Sequence, residues 1–374
     1  MHRIISRDLF TIFFLKMHCF KIIIIKFWAV LLVVFAVLAL PSCQPGESEP
    51  DFINLRGETM GTMYSITSET DISAEKLQTD IDSLLIVLND QLSTYIPEST
   101  ISRFNQADST IEILTADEPF FVENLMISKR IFGETDGMFD PTVMPLVNYW
   151  GFGYTGHEAP EAVDSAAVDS LLKKVGFDKV DFSVDEYTEV TKNIPGVELD
   201  FSAVAKGYAV DVVANYLAQN EVNNYLVDIG GEVCVQGSGR RGSGWVLGVS
   251  TPDPTADGES ISQRLRLDRG CVATSGNYRN FRMVDDRPVG HTINPRTGFP
   301  EMNNLLSVTI WTSTAAAADA YATACLVADF PAAKELIEGL EGVEGYFIYL
   351  DEEGEVRHAW TGDFSPLVVE EELN

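Results

Sequence analysis

Apolar residues recur at helical spacing in several stretches of the chain. Between residues 73 and 92 they fall on one face of an amphipathic helix, at Leu77, Ile81, Leu84, Leu85, Leu88 and Leu92. The same reasoning predicts helices over residues 119–134, 204–217 and 315–328, the last one rich in alanine. These helices account for most of the regular hydrophobic periodicity.

Shorter apolar runs predict strands between the helices. They cover residues 62–67, 225–229, 245–250 and 305–311. Strands mixed with helices, without an internal repeat, indicate an α+β (mixed α/β) protein with helices packed on largely antiparallel sheets. We expect a single folded domain over residues 56–374.

The first 42 residues have the features of a lipoprotein signal peptide. Basic residues precede an uncharged apolar run over residues 27–40, which is shorter than the about 20 residues of a membrane-spanning helix. Leu40-Pro41-Ser42-Cys43 is similar to a bacterial lipobox, so we expect cleavage before Cys43, lipidation of its thiol and a tether over residues 43–55. An ordinary thiol is the alternative for Cys43, and the start codon is either Met1 or Met17.

The chain is strongly acidic, with 56 acidic against 26 basic residues and a formal net charge of -30. This balance argues against nucleic acid and against an anionic membrane surface as partners. After Cys43 only Cys234, Cys271 and Cys325 remain, an odd number in apolar surroundings without metal-ligand spacing. We therefore predict buried free thiols, with neither a disulfide nor a zinc site.

One glycine pattern invites a nucleotide-binding interpretation that its context contradicts. Residues 237–242 match G-x-G-x-x-G, but the dinucleotide fingerprint requires a helix directly afterwards. Here the chain continues into the strand predicted at 245–250. We predict a hairpin turn at this position.

Asp319 and Thr323 are candidate metal ligands. They stand four residues apart on a predicted helix, so their side-chain oxygens project from one face. A carboxylate and a hydroxyl suit a hard cation, Mg²⁺ first. The alternative is local hydrogen bonding, with the Asp capping its neighbours and the Thr bonding back to the helix.

Two further segments combine groups that bind anions or titrate. Asp200 and Lys206 flank the start of the helix predicted at 204–217, where an ammonium group and backbone N–H groups would face a diphosphate. A surface ion pair is the alternative for Asp200 and Lys206. The segment 291–300 places His291 beside a Pro-Arg-Thr-Gly-Phe-Pro turn, although a structural histidine is the usual interpretation.

Four blocks follow one another along the chain: Gly137-Met138-Phe139-Asp140-Pro141-Thr142, Asp200-Phe201-Ser202-Ala203-Val204-Ala205-Lys206-Gly207, His291 to Pro300, and Asp319-Ala320-Tyr321-Ala322-Thr323. Together and in this order they resemble the ApbE family of periplasmic, Mg-dependent FAD:protein FMN transferases. The resemblance extends over roughly residues 59–323. It implies one catalytic unit with two lobes.

The resemblance also implies roles for individual residues. Mg²⁺ would be held by Asp319, Thr323 and the main-chain carbonyl of Ala203, and FAD would be contacted by Met60, Tyr95, Met138, Phe139, Asp140, Asp200, Lys206, His291 and Ile293. His291, Asp319 and Lys206 would take part in catalysis. Core packing is the alternative for Met60 and Tyr95, and Trp150 is interpreted as a packing residue.

The implied reaction moves FMN from FAD to a Thr or Ser hydroxyl of a target protein and releases AMP. Implied acceptors are flavin-bearing subunits of membrane electron-transport complexes, of the sodium-translocating NADH:quinone reductase or RNF type. The enzyme would be lipid-anchored in the bacterial cell envelope, facing the periplasm. Two alternatives stay open: a Mg-dependent FAD pyrophosphatase that yields FMN and AMP, and a flavin-binding lipoprotein without turnover.

Overall fold

A computed structural model describes residues 52–252, 260–277, 281–285 and 287–369. The predicted signal peptide, Cys43 and the tether up to residue 51 lie outside the described residues. The predicted boundary between residues 55 and 56 is wrong, because the first strand already begins at Phe52. Residues 52–55 are paired with the second strand and belong to the folded domain.

Eight α-helices and fifteen strands occur in the described part of the chain. The helices are α1 (Ala74–Leu92), α2 (Thr100–Gln106), α3 (Pro119–Glu134), α4 (Met144–Tyr149), α5 (Ser165–Leu172), α6 (Ala205–Gln219), α7 (Ala315–Val327) and α8 (Phe330–Glu338). The strands are β1 (Phe52–Thr59), β2 (Thr62–Glu69), β3 (Thr110–Leu114), β4 (Val180–Val184), β5 (Tyr187–Lys192), β6 (Tyr225–Ile229), β7 (Glu232–Gln236), β8 (Trp245–Ser250), β9 (Ile261–Leu267), β10 (Arg269–Gly276), β11 (Phe281–Val284), β12 (Arg287–Gly290), β13 (Leu305–Thr312), β14 (Glu344–Leu350) and β15 (Val356–Trp360). Every helix and strand predicted from the sequence is confirmed.

One large antiparallel sheet organises the fold, with strand order β1-β2-β6-β7-β10-β13-β14-β15. Three smaller sheets contain β3-β5-β4, β8-β9 and β11-β12. Helices and sheet share one main hydrophobic cluster, and a smaller cluster around Trp150 and Ile293 lies apart from it. The predicted mixture of helices and antiparallel sheets is thereby confirmed.

Helices α6 and α7 approach each other closely because a glycine lies at their contact. A Cβ atom on Gly207 would lie 2.2 Å from the carbonyl oxygen of Ala315. Asp211 of α6 caps the start of α7, where its carboxylate accepts hydrogen bonds from the N–H groups of Ala315 (2.7 Å) and Ala316 (2.9 Å). These contacts fix α7, which carries Asp319, against α6.

The predicted absence of a disulfide is wrong. Cys234 of β7 and Cys271 of β10 form a disulfide, since antiparallel pairing places the two residues directly opposite each other. The pairing of β7 with β10 brings together strands that are distant in the sequence, so the sequence did not predict the disulfide. The odd number of cysteines shows only that one thiol is left over. That thiol is Cys325, which is buried and free as predicted.

The glycine-rich segment at 237–242 connects two strands, as its context indicated. Strand β8 follows it, so the dinucleotide interpretation stays excluded. The predicted hairpin is wrong, because β7 pairs with β6 and β10 whereas β8 pairs with β9. Within the described residues, no helix has both the length and the apolar character needed to span a membrane.

Candidate active site

A cavity of about 470 Å³ collects most of the residues singled out in the sequence. Two of the hydrophobic clusters contribute to its walls, Phe139 from the main one and Ile293 from the one around Trp150. Among the predicted site residues, those that line it are Met138, Phe139, Asp140, Asp200, Ala203, Lys206, His291, Ile293, Asp319 and Thr323. Segments that are distant in the sequence, between residues 138 and 327, therefore meet at one place.

Lys206, in the first turn of α6, lies between two buried carboxylates. Its Nζ is 3.0 Å from Oε1 of Glu232 and 3.4 Å from Oδ2 of Asp319. Burial acts to lower the pKa of Lys206, but the two carboxylates outweigh it and the pKa is raised above its ordinary value. The ammonium group is therefore charged and held in place.

Glu232 was missed by the sequence analysis. It is the first residue of β7, directly after the Gly230-Gly231 turn, and only 5% of its surface is exposed. Burial and the nearby Asp319 raise its pKa above the ordinary value, against the opposing effect of Lys206. Its Oε2 atom has no hydrogen-bond partner in the part of the chain that the structure describes. The acidic residue after a buried strand and a double-glycine turn is the signal that could have identified it.

The donor set around Asp319 fits a hard divalent cation. Asp319 is 3% exposed, and Thr323 follows one helical turn later with its Oγ1 3.5 Å from Oγ of Ser275. Ala203 lies just before α6 and also lines the cavity. A carboxylate, a hydroxyl and a main-chain carbonyl are oxygen ligands of the kind Mg²⁺ prefers. The buried, unpaired Oε2 of Glu232 adds negative charge to the same cavity.

Two acidic side chains lie in neighbouring loops that are joined through the backbone. The N–H of Asp200 donates to the carbonyl of Pro141 (2.7 Å), and the Asp140 carboxylate accepts hydrogen bonds from the N–H and hydroxyl of Thr142 at 2.8 and 2.6 Å. Burial raises the pKa of Asp140 to about 6, although the Thr142 hydrogen bonds oppose it. Burial also raises the pKa of Asp200, against the opposing effects of Ser202 and Lys206.

The loop that carries His291 is held near its start and in its middle. The Thr292 hydroxyl donates to Oδ1 of Asn277 (2.6 Å), and Arg296 binds the Asp136 carboxylate at 2.6 Å. Trp150 packs beneath the loop, buried as predicted, with its Nε1 donating to the carbonyl of Gly298 (2.9 Å). The imidazole of His291 lines the cavity and packs edge-to-face with the Phe152 ring. This contact fixes the orientation of the imidazole in the cavity.

Met60 and Tyr95 do not line the cavity. Met60 lies in the β1–β2 turn and packs against the main hydrophobic cluster, in keeping with the alternative of core packing. Tyr95 is 73% exposed, so it is not a core residue, and it stacks edge-to-face with Tyr154 at 6.4 Å. Their contacts with a nucleotide stay predictions.

The cavity combines apolar walls with an excess of buried negative charge. Val147, Phe152 and Ile293 offer apolar surface, while the charged lining residues include Asp140, Asp200, Glu232, Asp319 and the opposing Lys206. Such a site suits an elongated ligand with an apolar part and an anionic part that enters together with a divalent cation. Binding and orienting such a ligand beside a cation does not require a nucleophilic side chain of the protein.

Comparison with known proteins agrees with this chemistry. The model of the ApbE family matches residues 60–347. The FAD:protein FMN transferase of Vibrio cholerae serotype O1 is 38% identical over 307 residues, which cover 79% of this chain and 86% of that protein. The FAD:protein FMN transferase of Escherichia coli K12 is 33% identical over 318 residues, which cover 82% and 86%.

Solved structures extend the similarity to the fold. The flavin transferase ApbE from Vibrio cholerae matches with a TM-score of 0.74 and 32% identity, covering 85% of this chain and 99% of that one. The apo form of the flavinyl transferase ApbE from Pseudomonas stutzeri matches with a TM-score of 0.74 and 29% identity, covering 85% and 96%. With the family model matching most of the domain, this chain belongs to the ApbE family.

Proposed function

We propose that this chain transfers FMN from FAD to a Thr or Ser hydroxyl of a target protein, releases AMP and depends on Mg²⁺. The transferase activity follows from membership of the family and from relatives named FAD:protein FMN transferase at up to 38% identity. The single observation that supports metal dependence is the buried Asp319 carboxylate, with Thr323 one turn along the same helix.

The protein contributes mainly positioning and electrostatics to this reaction. The acceptor hydroxyl attacks the FMN phosphorus of FAD, the bond to the bridging oxygen breaks and AMP leaves. Asp319, Thr323 and the Ala203 carbonyl would hold Mg²⁺, which supplies positive charge against the charge that develops on the diphosphate. The Lys206 ammonium group is held in the same cavity by its ion pairs. His291 lines the cavity from a different loop and would face the bound FAD.

Incubation of the protein that begins at Glu47 with FAD, Mg²⁺ and a candidate acceptor domain tests the proposal. Intact mass of the acceptor and AMP analysis are the two readouts. We expect Mg-dependent addition of one FMN and release of AMP, and loss of both in Asp319→Asn. The matched control is Asp185→Asn, which removes a carboxylate from an exposed position between β4 and β5.

The two alternatives give different results in the same assay. FMN and AMP without acceptor modification would identify a FAD pyrophosphatase. FAD that stays bound and intact, with no AMP, would identify a flavin-binding protein without turnover.

We also propose that the enzyme is anchored by a lipid on Cys43 and acts at the bacterial cell envelope, facing the periplasm. The support is the lipobox-like Leu40-Pro41-Ser42-Cys43 after an apolar run. Acceptors would be flavin-bearing subunits of membrane complexes of the sodium-translocating NADH:quinone reductase or RNF type. Labelled fatty acid should enter the full chain and not Cys43→Ala; equal labelling of both would contradict the anchor.

A further inference from the structure

We propose that Glu232 is a positioning residue that draws the Lys206 ammonium away from Asp319 and so leaves Asp319 available to a divalent cation. The inference rests on the proposed metal-dependent function and assigns a task to a residue outside the predicted ligand set. Three features of the cavity support it. Lys206 lies closer to Glu232 than to Asp319, Glu232 has no described side-chain partner other than Lys206, and the β6–β7 turn directs the Glu232 side chain toward Lys206.

The two ion pairs of Lys206 are not equivalent. Nζ is 3.0 Å from Oε1 of Glu232 and 3.4 Å from Oδ2 of Asp319, so Glu232 is the closer of its two ion-pair partners and the stronger Coulombic attraction goes to it. The two contacts of Asp319 use the same oxygen. Its Oδ2, which contacts Lys206, also accepts a hydrogen bond from the N–H of Gly207 at 3.3 Å. Lys206 therefore takes up only part of the Asp319 carboxylate.

Among the described residues, Lys206 is the side chain that the Glu232 carboxylate binds. Its Oε1 binds Lys206, and its Oε2 is buried without a hydrogen-bond partner among the described residues. Burying a carboxylate with one oxygen unpaired is costly, and a purely structural role would satisfy both oxygens. The cost of burying the Glu232 carboxylate is explained if its negative charge is needed at this position.

The β6–β7 turn fixes the direction of Glu232. Ile229 and Glu232 are paired across the turn, and Gly230 and Gly231 both have positive φ. The side chain thus leaves the first residue of β7 toward the start of α6, where Lys206 lies. Without this carboxylate, Asp319 would be the remaining carboxylate within ion-pair distance of Lys206 among the described residues, and the ammonium would compete with a cation for it.

Titration with Mn²⁺, followed by electron paramagnetic resonance in the absence of FAD, measures the effect directly. We expect Glu232→Gln to weaken Mn²⁺ binding at least tenfold. Glu232→Asp keeps the charge but withdraws it by one methylene, and we expect it to weaken binding severalfold. An effect of charge alone would leave Glu232→Asp at the affinity of the unmodified protein, which would overturn the inference.

A double-mutant cycle separates positioning from simple loss of negative charge. Lys206→Met should strengthen Mn²⁺ binding at least fivefold more in the Glu232→Gln background than in the unmodified protein, because in that background no Glu232 carboxylate draws the ammonium away from Asp319. Equal gains in the two backgrounds would overturn the inference while leaving the proposed function intact. Failure of the unmodified protein to bind Mn²⁺ would overturn both.

Discussion

The described lining of the cavity holds four buried carboxylates against one ammonium group. Asp140, Asp200, Glu232 and Asp319 are each no more than 9% exposed, and Lys206 offsets one of their charges. Such an excess is costly in a buried site until a cation or an acidic proton compensates it. At the scale of single residues, the site is therefore prepared for a positively charged partner.

His291 provides a residue-scale prediction, because it lines the cavity and is not one of the predicted metal ligands. His291→Ala should lower the rate of FMN transfer at least tenfold and leave Mn²⁺ affinity within about twofold, since Asp319 and Thr323 are retained. Transfer is measured by intact mass of the acceptor. His157→Ala, at an exposed position, is the control. Equal rates in the two variants would argue against a role of His291 in the reaction.

Residues adjacent in the sequence could be predicted to share a site, whereas the contact between Glu232 and Lys206 could not. Asp319 and Thr323 lie on one helix, and segment 291–300 is one loop, so local patterns identify them. Glu232 acquires its role only from Lys206, which reaches it through the packing of a helix on the sheet. No local pattern specifies a contact of this kind.

At the scale of elements, the contact between α6 and α7 positions the predicted metal ligands. Gly207→Ala should lower the free energy of unfolding by about 1–3 kcal/mol, because its Cβ would meet a backbone carbonyl that cannot rotate away. Gly133→Ala, in α3 with open space around it, should be neutral or stabilising by up to about 1 kcal/mol. Denaturant unfolding of both variants measures the difference. A Gly207→Ala protein as stable as Gly133→Ala would contradict the tight contact.

The cap that Asp211 provides for α7 predicts a pH dependence. Burial raises the pKa of Asp211 to about 6, whereas its ordinary value is 3.8, and the N–H groups of Ala316 and Ala315 oppose the shift. The folded state therefore binds more protons between these values, and the contribution of Asp211 to the free energy of unfolding falls as pH rises through this window.

The corresponding variant is Asp211→Asn, which cannot titrate. We expect the stability of the unmodified protein relative to Asp211→Asn to be greater at pH 4 than at pH 7, by up to about 3 kcal/mol. Guanidinium unfolding at both pH values gives the two differences, and Asp185→Asn provides the comparison at an exposed site. A difference that grows toward pH 7 would show that the sign of the Asp211 shift is wrong.

At the scale of the whole molecule, the disulfide joins the two middle strands of the large sheet, β7 and β10. It closes a sequence separation of 37 residues, so replacing both Cys234 and Cys271 by Ser should cost about 2–4 kcal/mol of stability. A thiol reductant should lower the melting temperature of the unmodified protein and leave that of the double variant unchanged. A melting temperature of the unmodified protein that is insensitive to full reduction would contradict this.

Four of the helices and four of the strands in the described residues could be predicted because their hydrophobic periodicity is local, whereas the order of the strands in the large sheet could not. Residues 119–134 and 225–229 contain in their own sequence the information for one helix and one strand. Which strands become neighbours depends on packing between distant segments. For the same reason the disulfide, the pairing of β8 with β9 and the entry of residues 52–55 into β1 were not predicted.

The order of strands in the large sheet rises steadily along the chain from β1 to β15. A polypeptide that emerges N-terminus first can add each strand at a growing edge and never has to separate a pair already formed. Helix α7 follows the sixth strand of this series, β13, so the helix that carries the predicted metal ligands would reach a surface that is already built. Assembly in this direction would make the cavity one of the last parts of the protein to form.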